Sequence, residues 1–143
     1  MGGGTDLPSF YEKSPGKVLS ATIDKYVLVA INPAPLLKGI TARYAITETV
    51  ATPKELKNDR MRESMIKLGV KDNLEIGIFS SMRVGTGLGG SSTFTVSLIK
   101  GLSTFVGKRL DKQEVAELAC EIEIDILKEP IGKQDQYAAA IGG

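Results

Sequence analysis

The residues best suited to chemistry fall in two places. GTGLGGSST at 85–93 sets four glycines ahead of a run of hydroxyl side chains, and the acids Glu123 and Asp135 stand near the end of the chain. Glycine lets a backbone take positive φ and approach an anion closely. A helix that starts straight after such a loop adds unpaired N–H groups and a partial positive charge. Ser91, Ser92 and Thr93 would then set three hydroxyls in the first turn, where one can meet a phosphate oxygen or a divalent cation. Read as a string, Gly85, Gly87 and Gly90 satisfy GxGxxG, but the dinucleotide fingerprint also needs a second parallel strand ending in an acid about 20 positions on. A helical pattern and Asp111 occupy that region instead. A Walker A loop fails as well, because no Gly-Lys-Ser/Thr closes the run. A phosphate cradle of another kind, or an ordinary loop with a serine cap, remains.

The two acids are open to two readings each. Asp135 sits in PIGKQDQY, after the Pro130–Gly132 turn and at the start of a helical pattern. There it can cap the helix, or act as a base for an alcohol. Lys133 nearby would lower its pKa and keep it ionised. Glu123 lies at the edge of an apolar helical stripe, where an acid points at a cleft or simply at solvent.

Composition narrows the classes. Histidine is absent, which removes Ser-His-Asp and Cys-His catalysis and most zinc sites. The single cysteine, Cys120, excludes a disulfide-stapled scaffold. Eighteen basic against seventeen acidic residues give a net charge of +1, too little field to grip a nucleic-acid backbone. No apolar run approaches membrane-spanning length and no signal peptide opens the chain, so a soluble, cytoplasmic protein is expected. At 143 residues and 42% hydrophobic content, one globular domain or one part of a larger protein fits.

The elements that must carry these residues follow from the pattern. KVLSATIDKYVLVAI at 17–31 reads as two strands or one bent strand, TARYAITETV at 41–50 as a third, and LEIGIF at 74–79 as another. Thr52-Pro53 reads as a helix start with Leu56, Met61, Met65 and Leu68 on its apolar face and Gly69 at its end. Helices are expected over about 91–106, from Asp111 with its Glu114 capping-box partner until Pro130 stops it, and over 134–140. Strands first and helices returning onto them make an α+β fold.

Three segments together, GGGTDLPSFY, VGTGLGGSSTF and EPIGKQDQYAAAIGG, resemble the GHMP small-molecule kinases. The first and third look most like the branch that phosphorylates D-glycero-D-manno-heptose 7-phosphate at its anomeric hydroxyl. The resemblance implies a two-layer, ribosomal-protein-like α+β fold with a left-handed βαβ crossover, an exception to the usual handedness. It implies ATP and Mg²⁺ as cofactors and a sugar phosphate as acceptor, with no nucleic acid and no membrane, and it leaves room for a homodimer of the full-length protein.

Carried over by position, Gly85, Gly87, Leu88, Gly89, Gly90, Ser91 and Ser92 would hold the nucleotide phosphates. Ser91 and Glu123 would ligate magnesium, Asp135 would be the catalytic aspartate, and Gly3, Gly4, Thr5 and Asp6 would line the sugar site. The sequence departs from the family pattern in three ways. The first motif begins at Met1 without the strand that normally precedes it. Position 90 is Gly where serine is common, and Lys128 stands where glycine is common. The family's C-terminal domain is missing, so residues 1–143 are expected to be an N-terminal, ATP-binding domain cut at both ends. The competing class is a non-catalytic anion-binding module.

Overall fold

The computed structural model describes residues 4–71, 73–81 and 87–142. Four strands form one mixed sheet in the order β1-β4-β2-β3. They are β1 (Val27–Pro33), β2 (Ile40–Arg43), β3 (Thr47–Val50) and β4 (Leu74–Ser80). β1 runs antiparallel to β4, with Val29 opposite Ile78. β2 lies parallel to β4, with Ala42 opposite Ile76, and antiparallel to β3. The helices are the single turn α1 (Pro8–Tyr11), α2 (Asp59–Leu68), α3 (Gly90–Phe105), α4 (Lys112–Cys120) and α5 (Gln134–Ile141).

The central helix, α3, packs on β1 and touches α2, α4 and α5. The core lies between sheet and helices: Ile40, Ala42, Leu74 and Ile76 from the strands meet Met61 and Met65 of α2, Leu98, Ile99 and Leu102 of α3, and Ala119 of α4. Leu98 is fully buried, and truncating such a side chain to alanine costs about 2–5 kcal/mol. Among the described residues no helix is long and apolar enough to cross a membrane.

Local signals held where the determinant was local. Gly69 closes α2 at φ +75°. Asp111 and Glu114 form the reciprocal capping box, with Glu114 N–H donating to Asp111 at 2.8 Å and Asp111 N–H to Glu114 at 2.7 Å. Three expectations need correction. Within 17–31 only Val27–Pro33 is a strand; Val18, Leu19 and Ile23 upstream lie outside it and are exposed, so burial does not reward their β propensity. The segment 41–50 is a hairpin, not one strand, because the chain turns at 44–46, where Tyr44 N–H donates to Ile46 C=O at 2.9 Å. Thr52-Pro53 starts only a 3₁₀ turn, Pro53–Glu55. The helix proper waits for Asn58, whose side chain accepts from Met61 N–H at 3.0 Å.

After Cys120 the backbone widens into a π-helical segment, Glu121–Ile126. Leu127 N–H reaches back five residues to Ile122 C=O at 2.9 Å, and Glu129 N–H bonds Glu123 C=O at 2.9 Å. Lys128, at φ +56°, turns the chain out of it. Cys120 is buried beside this segment, and burial pushes its thiol up to about 12. Such a thiol is inert.

Candidate functional site

The glycine loop leads from β4 into α3. Gly85 lies outside the described residues, as does Gly3 at the N-terminus. Gly87 and Gly89 both take left-handed backbone, at φ +69° and +70°. Gly89 is the N-cap of α3 and has no side chain to cover the first turn, so amides without intrahelical acceptors face the loop. Gly90 opens the helix. Leu88 and Ser91 are exposed, while Ser92 is 3% exposed and faces inward. Successive helix residues point about 100° apart, so Ser91 and Ser92 cannot both face one partner.

That partner is Glu123. It is completely buried, so its solvated reading is wrong. Two hydroxyls of α3 donate to it, Ser92 at 2.8 Å and Thr95 at 2.6 Å, and so does the Gln136 amide of α5 at 2.6 Å. Arg60 of α2 donates through Nε at 3.0 Å and through Nη2 to Glu129. Glu123 Oε1 therefore serves Arg60 and Thr95, and Oε2 serves Ser92 and Gln136. Four donors fill the four lone-pair directions of a carboxylate. The structure brings Ser92, not Ser91, to Glu123. Gln136 Oε1 is buried and, among the described residues, has no hydrogen-bond partner.

Asp135 lies in the first turn of α5 and does not cap it. The N-cap residue is Lys133, whose side chain makes no cap hydrogen bond. Asp6 meets the start of that helix instead. Its Oδ2 accepts from Gln134 N–H at 3.4 Å, its Oδ1 from Gly4 N–H at 3.0 Å, and its C=O from Lys133 N–H at 3.2 Å. A Cβ at Gly132 would sit 1.8 Å from Asp6 Oδ2, so only glycine lets the two segments meet. Thr5, expected in the same site, donates its hydroxyl to Lys17 C=O at 2.8 Å.

A cavity of about 210 Å³ opens between these groups, lined by Gly4, Asp6, Ser92, Gly132 and Asp135 among others. The glycine loop also comes up against Asp135. A Cβ built on Gly89 would lie 3.2 Å from both Cγ and Oδ2 of Asp135. Burial raises the pKa of Asp135 above the ordinary value, and the charges of Asp6 and Glu123 push it the same way. The expected lowering by Lys133 does not occur, because its ammonium lies over the Tyr11 ring, 4.3 Å from the centroid.

Magnesium prefers oxygen ligands and keeps several from water or substrate phosphates. The Ser92 hydroxyl fits, since it gives its proton to Glu123 and keeps both lone pairs. The Glu123 carboxylate fits in chemistry but has no unoccupied lone pair. Among the described residues no group of three or more acidic or thiol side chains could hold a metal alone. Sequence reasoning missed Arg60, Thr95, Glu129 and Gln136. Thr95 is one turn from Ser92 and Gln136 follows Asp135, but Arg60 stands 63 positions from Glu123 with no local signal.

Residues 54–143 match the GHMP kinases N terminal domain. The chain is 34% identical to the D-glycero-alpha-D-manno-heptose 7-phosphate kinase of Campylobacter jejuni, over 99% of this chain and 45% of that protein. The crystal structure of a D-glycero-D-manno-heptose 1-phosphate kinase from Bacteroides thetaiotaomicron superposes with a TM-score of 0.89 at 28% identity, over 99% of this chain and 50% of that one. A putative sugar kinase from Campylobacter jejuni follows with a TM-score of 0.71 at 28% identity, over 84% of this chain and 42% of that one. The chain thus spans about half the length of these relatives.

Proposed function

Because this chain belongs to the GHMP kinase family, we propose that it is the N-terminal, nucleotide-binding domain of a kinase acting on a sugar phosphate. The acceptor we propose is D-glycero-D-manno-heptose 7-phosphate, and the position its anomeric hydroxyl. The support for that acceptor is the 34% identity to a heptose 7-phosphate kinase over nearly the whole chain. ATP is the donor, and the reading sets the protein in the cytoplasm, where ATP is available.

One contact carries the chemical reading: the carboxylate of Asp135 against Gly89 of the glycine loop. A group that can hold or accept a hydroxyl proton thus borders the turn whose amides suit phosphate oxygens. Phosphoryl transfer needs little covalent chemistry from a protein, and its rate comes from positioning and electrostatic stabilisation. The amides at the start of α3 would orient the nucleotide phosphates. Asp135 would take the acceptor's proton or hold its hydroxyl in line, and Asp6, hydrogen-bonded to Gly4 and Gln134, would border the acceptor. Ser92 and Glu123 would hold a magnesium ion, which when bound neutralises charge on the phosphates.

The test is phosphate transfer from ATP to a panel of sugar phosphates by the whole protein, alongside Asp135→Asn. We expect transfer to the heptose 7-phosphate, and a loss of about 10²-fold or more in kcat for the variant. The variant should melt no lower than the parent, since it removes a carboxylate that burial and two like charges disfavour. ATP binding without transfer to any sugar phosphate would make this a non-catalytic nucleotide module. A kcat for Asp135→Asn within threefold of the parent would remove Asp135 from the mechanism.

A further inference from the structure

Arg60 is claimed by two carboxylates at once, and nothing in the reaction above uses the bridge. Its Nε donates to Glu123, which is fully buried, and its Nη2 to Glu129. The side chains of Arg60 and Glu129 each keep 24% of their exposure. Glu129 is tied down a second time, by its own N–H to the carbonyl of Glu123.

A buried carboxylate needs a compensating charge, and here Arg60 supplies it. Any metal ion that binds Glu123 directly must displace one of four donors. Three of them, Ser92, Thr95 and Gln136, are neutral and at least 97% buried. Leaving one of those stranded would cost the desolvation of a buried polar group. Arg60 is different: it has solvent on one side and a second carboxylate to withdraw onto. It is the donor that can leave without being stranded.

We propose that Arg60 is a stand-in cation, which neutralises Glu123 until a divalent metal takes that role and then withdraws onto Glu129. The proposal rests on the reading of Glu123 as a metal-side carboxylate. It makes Arg60 and Glu129 positioning residues that set metal affinity without touching substrate. Their effects have opposite signs. Removing Arg60 frees a lone pair and leaves a buried negative charge for the metal. Removing the charge of Glu129 leaves Arg60 only a neutral acceptor there, a weaker second partner, and so favours its staying on Glu123.

The experiment is Mn²⁺ titration of the whole protein without nucleotide, read by electron paramagnetic resonance, with urea unfolding of each variant. Arg60→Met should tighten Mn²⁺ binding by about tenfold or more, within the usual range of coupling between sites. Glu129→Gln should weaken it by about threefold or more. A merely structural lesion would weaken binding in both. Unchanged or weaker binding in a cooperatively folded Arg60→Met protein overturns the proposal. If that variant does not fold, Glu129→Gln decides alone, and unchanged or tighter binding overturns it. Glu123→Gln separates the two levels. Parent affinity that ignores Glu123→Gln removes the metal reading itself and the proposal with it. Affinity that falls with Glu123→Gln but ignores Arg60 and Glu129 overturns only the stand-in.

Discussion

Gly87 and Gly89 form a matched pair that separates backbone strain from contact with the reacting groups. Both sit at φ near +70°, so an alanine at either meets the same left-handed penalty, about 1–2 kcal/mol. The stiffer unfolded chain returns about 0.4–1 kcal/mol of that. Each variant should therefore lose about 1 kcal/mol, roughly 2–4 °C in melting temperature for a chain of this size. The space around the two differs. Among the described residues nothing lies within 4 Å of a Cβ at Gly87, whereas a Cβ at Gly89 meets Asp135 Cγ and Oδ2 at 3.2 Å.

That separation is tighter than ordinary van der Waals contact, so Asp135 must yield by a few tenths of an ångström. If a displacement of about 1 Å costs about 10²-fold in rate, three to five tenths cost roughly four- to tenfold. Gly89→Ala should thus lower kcat at saturating substrates by roughly that factor relative to Gly87→Ala, with equal losses of stability in urea. Gly87→Ala should leave kcat closer to the parent, since among the described residues its added methyl meets no reacting group. Equal kcat in the two variants, with equal unfolding midpoints, would refute the role given to the Gly89–Asp135 contact.

Other expectations concern the same few residues. A base must be ionised to act, so activity falls as pH drops through the raised pKa of Asp135, and the acid limb of kcat/KM should lie above the ordinary aspartate range. Asp6→Asn removes one of the two charges that raise it, so the limb should move to lower pH; a limb that stays put would exclude the coupling. Ser92→Ala should raise the Mg²⁺ requirement and Ser91→Ala should leave it within about threefold, because only Ser92 faces Glu123; the reverse order in a Mg²⁺ titration would restore Ser91. Lys128→Gly relieves a left-handed non-glycine residue and should stabilise the protein by about 0.5–1 kcal/mol after the entropy glycine adds to the unfolded chain, measured by urea unfolding.

What the sequence disclosed divides along the range of the interaction responsible. The capping box at Asp111 and the stop at Gly69 depend on atoms within a few residues, and both stand where the pattern put them. In 17–31 the strand begins only at Val27, and the exposed Val18, Leu19 and Ile23 before it show that β-branched and aliphatic composition alone does not make a strand. The hairpin inside 41–50 depends on a bend at Tyr44–Ile46 that no glycine or proline marks. The π segment is one register change in an otherwise helical stripe, and nothing in EIEID distinguishes it from an α-helix. Lys128 was visible as a departure from family pattern, but its positive φ, the reason glycine suits that position, came from the structure.

The site was legible as a set of residues and not as a circuit, and the reason is Glu123. Its stripe neighbours Val115, Ala116, Ala119, Cys120 and Ile122 are all buried apolar residues, so by pattern an acid beside them belongs at the rim. Burying it is costly unless donors meet it, and those donors come from α2, α3 and α5. A single carboxylate therefore fixes three elements to one point. α3 brings the loop that suits phosphate oxygens, α5 brings Asp135 one residue before Gln136, and the Glu129 that shares Arg60 leads into the Gly132–Asp6 junction. The spacing between the loop and the acid is then set by bonds to Glu123 rather than by apolar packing alone, which deforms more readily than a satisfied buried charge. A substitution at Glu123 should consequently disturb stability and site geometry together, and breaking so buried a pair costs about 3–5 kcal/mol. Ser91 and Leu88, exposed and outside this network, should tolerate substitution.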